Sequence, residues 1–176
     1  TAFTPHFGEH LAADERRTIS GQVAFIGIPE LRIQQSRHDE RQDGVAQKFQ
    51  PLVVRTTCGP VCQRAFKERW IDLFPNPGKR SGAYSNGGAY DVHPYMLINY
   101  NGKYEDVSTL AHELGHTMQS YFSNKTQPYP LANYPIFVAE VASTFNEALL
   151  IDHMLGQISD TPTRVSLLGS YLENIK

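Results

Sequence analysis

His112-Glu113-Leu114-Gly115-His116 sets two imidazoles four residues apart, with a carboxylate beside the first. On a helix, positions four apart stand on one face, one turn above each other. Both rings can then offer a nitrogen to a single metal ion. Glu113 is rotated from His112 by about 100° and reaches a water held by that ion rather than the ion itself. Two ligands, an open coordination position and a carboxylate base are what a zinc-dependent peptidase needs.

A five-residue motif also arises by chance, so its surroundings must decide. Taking Val107 as zero, Leu110, Ala111, Leu114, Met118 and Tyr121 all fall within about 60° of it, forming one apolar stripe. His112 and His116 fall about 140–180° away, on the other side of the same helix. Such a pair can also be two solvated histidines on a polar face. Here strongly apolar sequence brackets the motif, which favours the metal.

A third acid belongs with them. The segment Phe137-Val138-Ala139-Glu140-Val141-Ala142-Ser143-Thr144-Phe145-Asn146-Glu147 is apolar nearly all round, as interior helices are. Glu140 inside it needs a partner if buried. A zinc ion would serve, and so would an Arg or Lys elsewhere in the chain. Glu147 lies two turns on, displaced by only about 20°. It can accept the free ring N–H of a ligating histidine or form an ordinary ion pair.

The elements that must position these residues are legible in part. The motif helix starts near Glu105 or Asp106, with acids in its first turn, and runs to about Phe122. A second helix occupies about Ile136 to Leu155, and a last amphipathic one Thr163 to about Asn174. Val61 to Phe74 reads as an amphipathic helix ended by Pro75 and Pro77. Gly78 to Tyr90 is a glycine-dense loop without phosphate-loop spacing. Pro94 to Tyr100 reads as a strand followed by an Asn101-Gly102 turn. If that strand lies at a sheet edge, Tyr95, Leu97 and Asn99 could pair with an extended peptide substrate; a covered core strand is the alternative.

Residues 1–60 carry no catalytic constellation and form an unassigned segment ahead of a core at 61–176. Gln22–Ile28 and Pro51–Val54 have strand character. Arg32–Gln50 reads as a solvated helix or connector, and His6, His10 and His38 as surface histidines. With 40% hydrophobic residues, 19% charged and a net charge of −2, the composition is that of an ordinary globular domain. It burys on the order of 70% of its unfolded surface. Nothing is basic enough for nucleic acid or apolar enough to span a membrane. Cys58 and Cys62, with no secretory pattern at the start, read as reduced thiols of a cytoplasmic protein.

From about Ala65 to Leu155 the chain resembles the thimet-oligopeptidase family of zinc metallopeptidases, in particular oligoendopeptidase F. The matching pieces are Phe66–Asp72, Gly78–Tyr84, His93-Pro94-Tyr95, Thr109–His116 and Phe137–Thr144. The resemblance implies a mainly α, zincin-like catalytic core with a small β element before the motif helix. It implies one Zn²⁺ held by His112, His116 and Glu140, with Glu113 as catalytic carboxylate and Glu147 behind a ligand. It also implies cleavage of short peptides. Gln119 stands where relatives often carry His. The Tyr and His that stabilise the oxyanion in the family lie C-terminal to the position of Lys176. The expectation is therefore a metal-binding part of a longer enzyme, its alternative being a non-catalytic, zinc-stabilised helical interaction domain.

Overall fold

The computed structural model describes residues 40–44 and 59–174, all within the unit Glu40–Lys176. The strands expected at 22–28 and 51–54, Cys58, and His6, His10 and His38 lie outside the described residues. Residues 40–44 are helical, and Gln42 is buried, donating to the Ile71 carbonyl over 3.1 Å. This part of the Arg32–Gln50 stretch thus packs on the core instead of being wholly solvated.

The order of elements is α1 (Gly59–Lys67), β1 (Ile71–Asp72), β2 (Tyr84–Asn86), β3 (Tyr95–Leu97), α2 (Tyr104–Thr126), a 3₁₀ turn (Tyr129–Leu131), α3 (Ile136–Gln157) and α4 (Thr161–Asn174). The mainly α class with a small sheet is the one expected. No helix among the described residues is long and apolar enough to cross a membrane.

The helix expected over 61–74 stops at Lys67. Arg69 takes a left-handed backbone (φ 59°), its N–H reaches the Phe66 carbonyl, and the Trp70 N–H reaches that of Ala65 over 2.9 Å. Those two bonds form a Schellman cap. With Arg rather than Gly at the left-handed position, the sequence gives no stop signal. Trp70–Phe74 instead turn inward as β1 and its continuation. Trp70, Ile71, Leu73 and Phe74 are all buried with Met96, Ile98, Leu110, Leu114 and Met118.

The sheet runs β1-β3-β2, with β3 parallel to β1 and antiparallel to β2. The strand expected around Tyr95 is therefore the middle one. Met96 and Ile98 donate to Trp70 and Asp72 on one side, and Tyr95 and Leu97 face Asn86 and Tyr84 on the other. This corrects the peptide-pairing expectation for Tyr95, Leu97 and Asn99: β3 has no unpaired edge to offer. The Asn99 amide donates to the Arg80 and Gly82 carbonyls, holding the preceding loop.

The edges belong to β1 and to β2, the latter a strand hidden in the glycine-dense segment. By the antiparallel ladder, Ser85 lies between two paired residues and turns its N–H and C=O away from β3. No described strand pairs on that side.

One face of α2 closes the core with Leu110, Leu114 and Met118, as the stripe predicts. Its start is fixed by Asp106, whose carboxylate accepts the N–H groups of Asn101 and Lys103 at 2.9 and 3.0 Å. The opposite face packs on α3. That helix is less interior than its composition suggests: Ala139, Ser143, Leu150 and Ile151 are buried, while Ile136, Phe137, Val141 and Phe145 are exposed.

Candidate metal centre

α2 and α3 cross at Gly115. A Cβ there would lie 2.6 Å from both the Ala142 carbonyl oxygen and the Ser143 Cα. Only glycine permits that approach, and the approach brings the ligand-type residues together.

His112 Nε2 and His116 Nε2 stand 3.0 Å apart. Glu140 Oε2 lies 3.5 Å from the first and 3.8 Å from the second. Two imidazole nitrogens and a carboxylate oxygen, all within 4.8 Å of one another, form a donor set suited to zinc. Among the described residues these three are the one such group of His, Cys, Asp and Glu. Three protein donors are one short of the four that close a structural tetrahedral site, so the set leaves a position open.

Two of the three ligand-type side chains, His112 and Glu140, are held from behind. His112 Nδ1 is hydrogen-bonded to Glu147 Oε1, which turns Nε2 toward the centre. Ser143 Oγ lies 2.9 Å from Glu140 Oε2 and 3.0 Å from the Glu140 main-chain oxygen, donating to one at a time. Asn146 donates its amide to the Ala111 carbonyl, tying α3 to the turn before the motif. Ser143 and Asn146 escaped the sequence reading, although Ser143 stands three residues after Glu140 and Asn146 three after Ser143, each a neighbour of the one before on the helix surface. Glu140 itself differs from expectation. Its side chain is 46% exposed, so it is turned to an open cleft and not buried in apolar surroundings.

Glu113 is only 7% exposed, and its Oε2 has no hydrogen-bond partner among the described residues. An unpartnered carboxylate oxygen in a buried position is costly unless something polar completes it. Burial pushes the Glu113 carboxyl up, the charge of His112 opposes this, Glu140 adds to it, and the outward-facing Ser85 N–H draws it back down. That is the direction a proton-exchanging carboxyl needs. Burial first, then His112, holds the His116 imidazole below its usual range, with Glu140 and the Ala139 backbone acting the other way. The neutral ring is the form that can ligate a metal.

The β2 edge is fastened to the same helix. Ser85 Oγ and Thr117 Oγ1 are 2.8 Å apart, and Thr117 is wholly buried. A Cβ on Gly87 would lie 2.2 Å from that of Ser120, so the strand's exit runs hard against α2.

Residues 35–176 match the sequence pattern of peptidase family M3, a wider span than the 65–155 on which the resemblance was read. Oligopeptidase PepF of Bacillus subtilis is 41% identical over 139 residues, covering 79% of this chain and 20% of that protein. The chromosomal oligoendopeptidase F of Lactococcus lactis is 48% identical over 112 residues, 64% of this chain and 18% of its own length. A crystal structure of a peptidase from Chlamydophila abortus superposes with a TM-score of 0.67 at 44% identity, over 76% of this chain and 22% of that one. The chain thus spans about a fifth of these relatives. Since the family match covers most of the chain and takes in His112, His116 and Glu140, the chain belongs to peptidase family M3.

Proposed function

We propose that this chain carries the zinc centre of a metalloendopeptidase that hydrolyses oligopeptides. The observation that carries the reading is the convergence of His112, His116 and Glu140 beside a buried Glu113 with an unpartnered oxygen. His112, His116 and Glu140 would hold one zinc ion. Bound there, zinc supplies Lewis acidity, polarising a carbonyl and lowering the pKa of a water toward ~7.

The chain's own residues do the rest. Glu113 takes a proton from the attacking water at its free carboxylate oxygen and returns it to the departing amine. Glu147 keeps the His112 ring in one tautomer and orientation. The open side of β2 lays an extended peptide beside Glu113, with the Ser85 carbonyl as a main-chain acceptor. The relatives' names point to peptides as substrates, and the proposed setting is the cytoplasm.

Metal analysis and one substitution test the reading. The purified chain should hold one zinc per molecule and lose it in His112→Ala. Glu113→Gln should keep the zinc and abolish any chelator-sensitive cleavage of a fluorogenic peptide. A chain that takes up no zinc refutes the assignment. A Glu113→Gln variant that still cleaves refutes the base.

A further inference from the structure

Among the described residues two sealed side-chain atoms have no hydrogen-bond partner, Glu113 Oε2 and the Tyr104 hydroxyl. Glu113 has a role in the proposed chemistry, and Tyr104 has none there. A buried hydroxyl left unmet costs stability, so its presence calls for a reason.

Its surroundings supply one. Tyr104 opens α2, and Tyr104, Ser108 and His112 stand four apart along one ridge of that helix. Ser108, the middle residue, is buried. Glu147 of α3 meets the far end of this ridge, where its Oε1 accepts from His112 Nδ1. The Glu147 side chain is only 14% exposed, and its second oxygen accepts no hydrogen bond among the described residues. We propose that Tyr104 is a positioning residue: it presents its O–H dipole to the Glu147 carboxylate and thereby steadies the His112 ring. The role rests on the zinc reading, because the ring so held is one of the three groups that would bind the ion.

The two groups are not hydrogen-bonded, yet the charge of Glu147 reaches the phenol. Burial pushes the Tyr104 hydroxyl above its usual range, and Ser108 draws it back down. Glu147, Glu105 and Tyr171 then add to the upward push. The phenol therefore stays protonated, the form with a hydrogen to present. In a poorly solvated place such a dipole acts on a neighbouring carboxylate more strongly than it would in water. α4 approaches the same point. Its Arg164 donates to the Leu155 and Ile158 carbonyls at the end of α3, and its Tyr171 comes within reach of the Tyr104 hydroxyl. Three helices thus converge on one oxygen.

Tyr104→Phe removes that oxygen and leaves the ring in place. Competition against a zinc-binding dye should show affinity about 3- to 10-fold below that of the unsubstituted chain. Urea unfolding of the metal-free chain should not weaken, since the variant breaks no hydrogen bond made within it. In a Glu147→Ala background the same change should leave zinc affinity where it is, because the carboxylate it acts through is gone. Nitrogen NMR of the His112 ring gives a readout that needs no zinc. In the metal-free chain the Nδ1–H tautomer should dominate, and Tyr104→Phe should admit the Nε2–H form. Zinc affinity within twofold of the unsubstituted chain overturns the positioning role. So does an equal loss in the Glu147→Ala background, or an unchanged His112 tautomer. A chain that binds no zinc yet shows the tautomer shift refutes the zinc reading and leaves the link from Tyr104 to His112 standing.

Discussion

Gly115 and Ser143 meet where α2 and α3 cross, and a Cβ on residue 115 would fall 2.6 Å from the Ser143 Cα. The obstacle is backbone, which cannot swing aside as a flexible side chain would. Gly115→Ala must therefore part α2 from α3 and carry Glu140 away from His112 and His116. Overpacking of this kind costs about 1–3 kcal/mol. We expect zinc affinity to fall together with stability, as read by chelator competition and by urea unfolding of the metal-free chain. Unchanged zinc affinity would mean that the crossing does not set the ligand spacing.

Glu147 touches the His112–His116–Glu140 cluster through His112. Removing it in Glu147→Ala frees the ring to rotate and to change tautomer, while all three ligand-type groups remain. Loss of such a supporting carboxylate lowers metal affinity about 10- to 100-fold. Competition against a zinc-binding dye measures this directly. Affinity within about twofold of the unsubstituted chain would reduce Glu147 to a neighbour.

The clustering of His112, His116 and Glu140 was legible because these residues lie on two helices. Helical spacing places His112, His116, Glu140 and Glu147 with little error, and the apolar stripe through Leu110 and Leu114 states which side of α2 is left for them. The sheet was not legible in the same way. Its strands are two or three residues long, too short for alternation to show, and β2 sits in a run rich in Gly, Tyr and Ser. Which strand is central depends on pairing between distant segments, and no local pattern encodes that; an edge and a covered position for the strand at Tyr95 to Leu97 were therefore equally compatible with the sequence. The exposed apolar side chains of α3 mark the reverse failure, where composition alone implies burial and packing does not supply it.

Lys79 is a structural residue that its loop context concealed. Its side chain is only 5% exposed. The ammonium donates to the carbonyls of Asp72, Phe74 and Ile98 at 2.9, 2.8 and 2.6 Å and pairs with the Asp72 carboxylate at 3.1 Å. It thus joins the chain leaving β1 to the chain leaving β3, beyond the last ladder pair. Lys79→Met keeps the bulk and removes the donors, leaving carbonyls unmet. We expect a loss of about 2–4 kcal/mol from denaturant midpoints at unchanged m-value. A change below about 0.5 kcal/mol, the usual range for surface substitutions, would show that water replaces the ammonium freely.

Asp160 gives a prediction with a pH signature. It precedes α4, and its Oδ2 accepts the Thr163 N–H at 2.9 Å and the Thr163 hydroxyl at 2.5 Å, capping the helix start. These bonds, the hydroxyl's first and the N–H second, hold its carboxyl below the ordinary 3.8, with burial opposing them slightly. A folded-state pKa below the unfolded value means that folding favours the carboxylate. The stabilisation is then complete above about 3.8 and is lost as pH falls through the lower folded value. Asp160→Ala should lower the melting temperature at neutral pH, and its deficit against the unsubstituted chain should shrink once the pH drops below 3.8. Melting curves of both proteins across that range decide it. A deficit that stays constant into acid would assign the effect to helix propensity and not to the ionised cap.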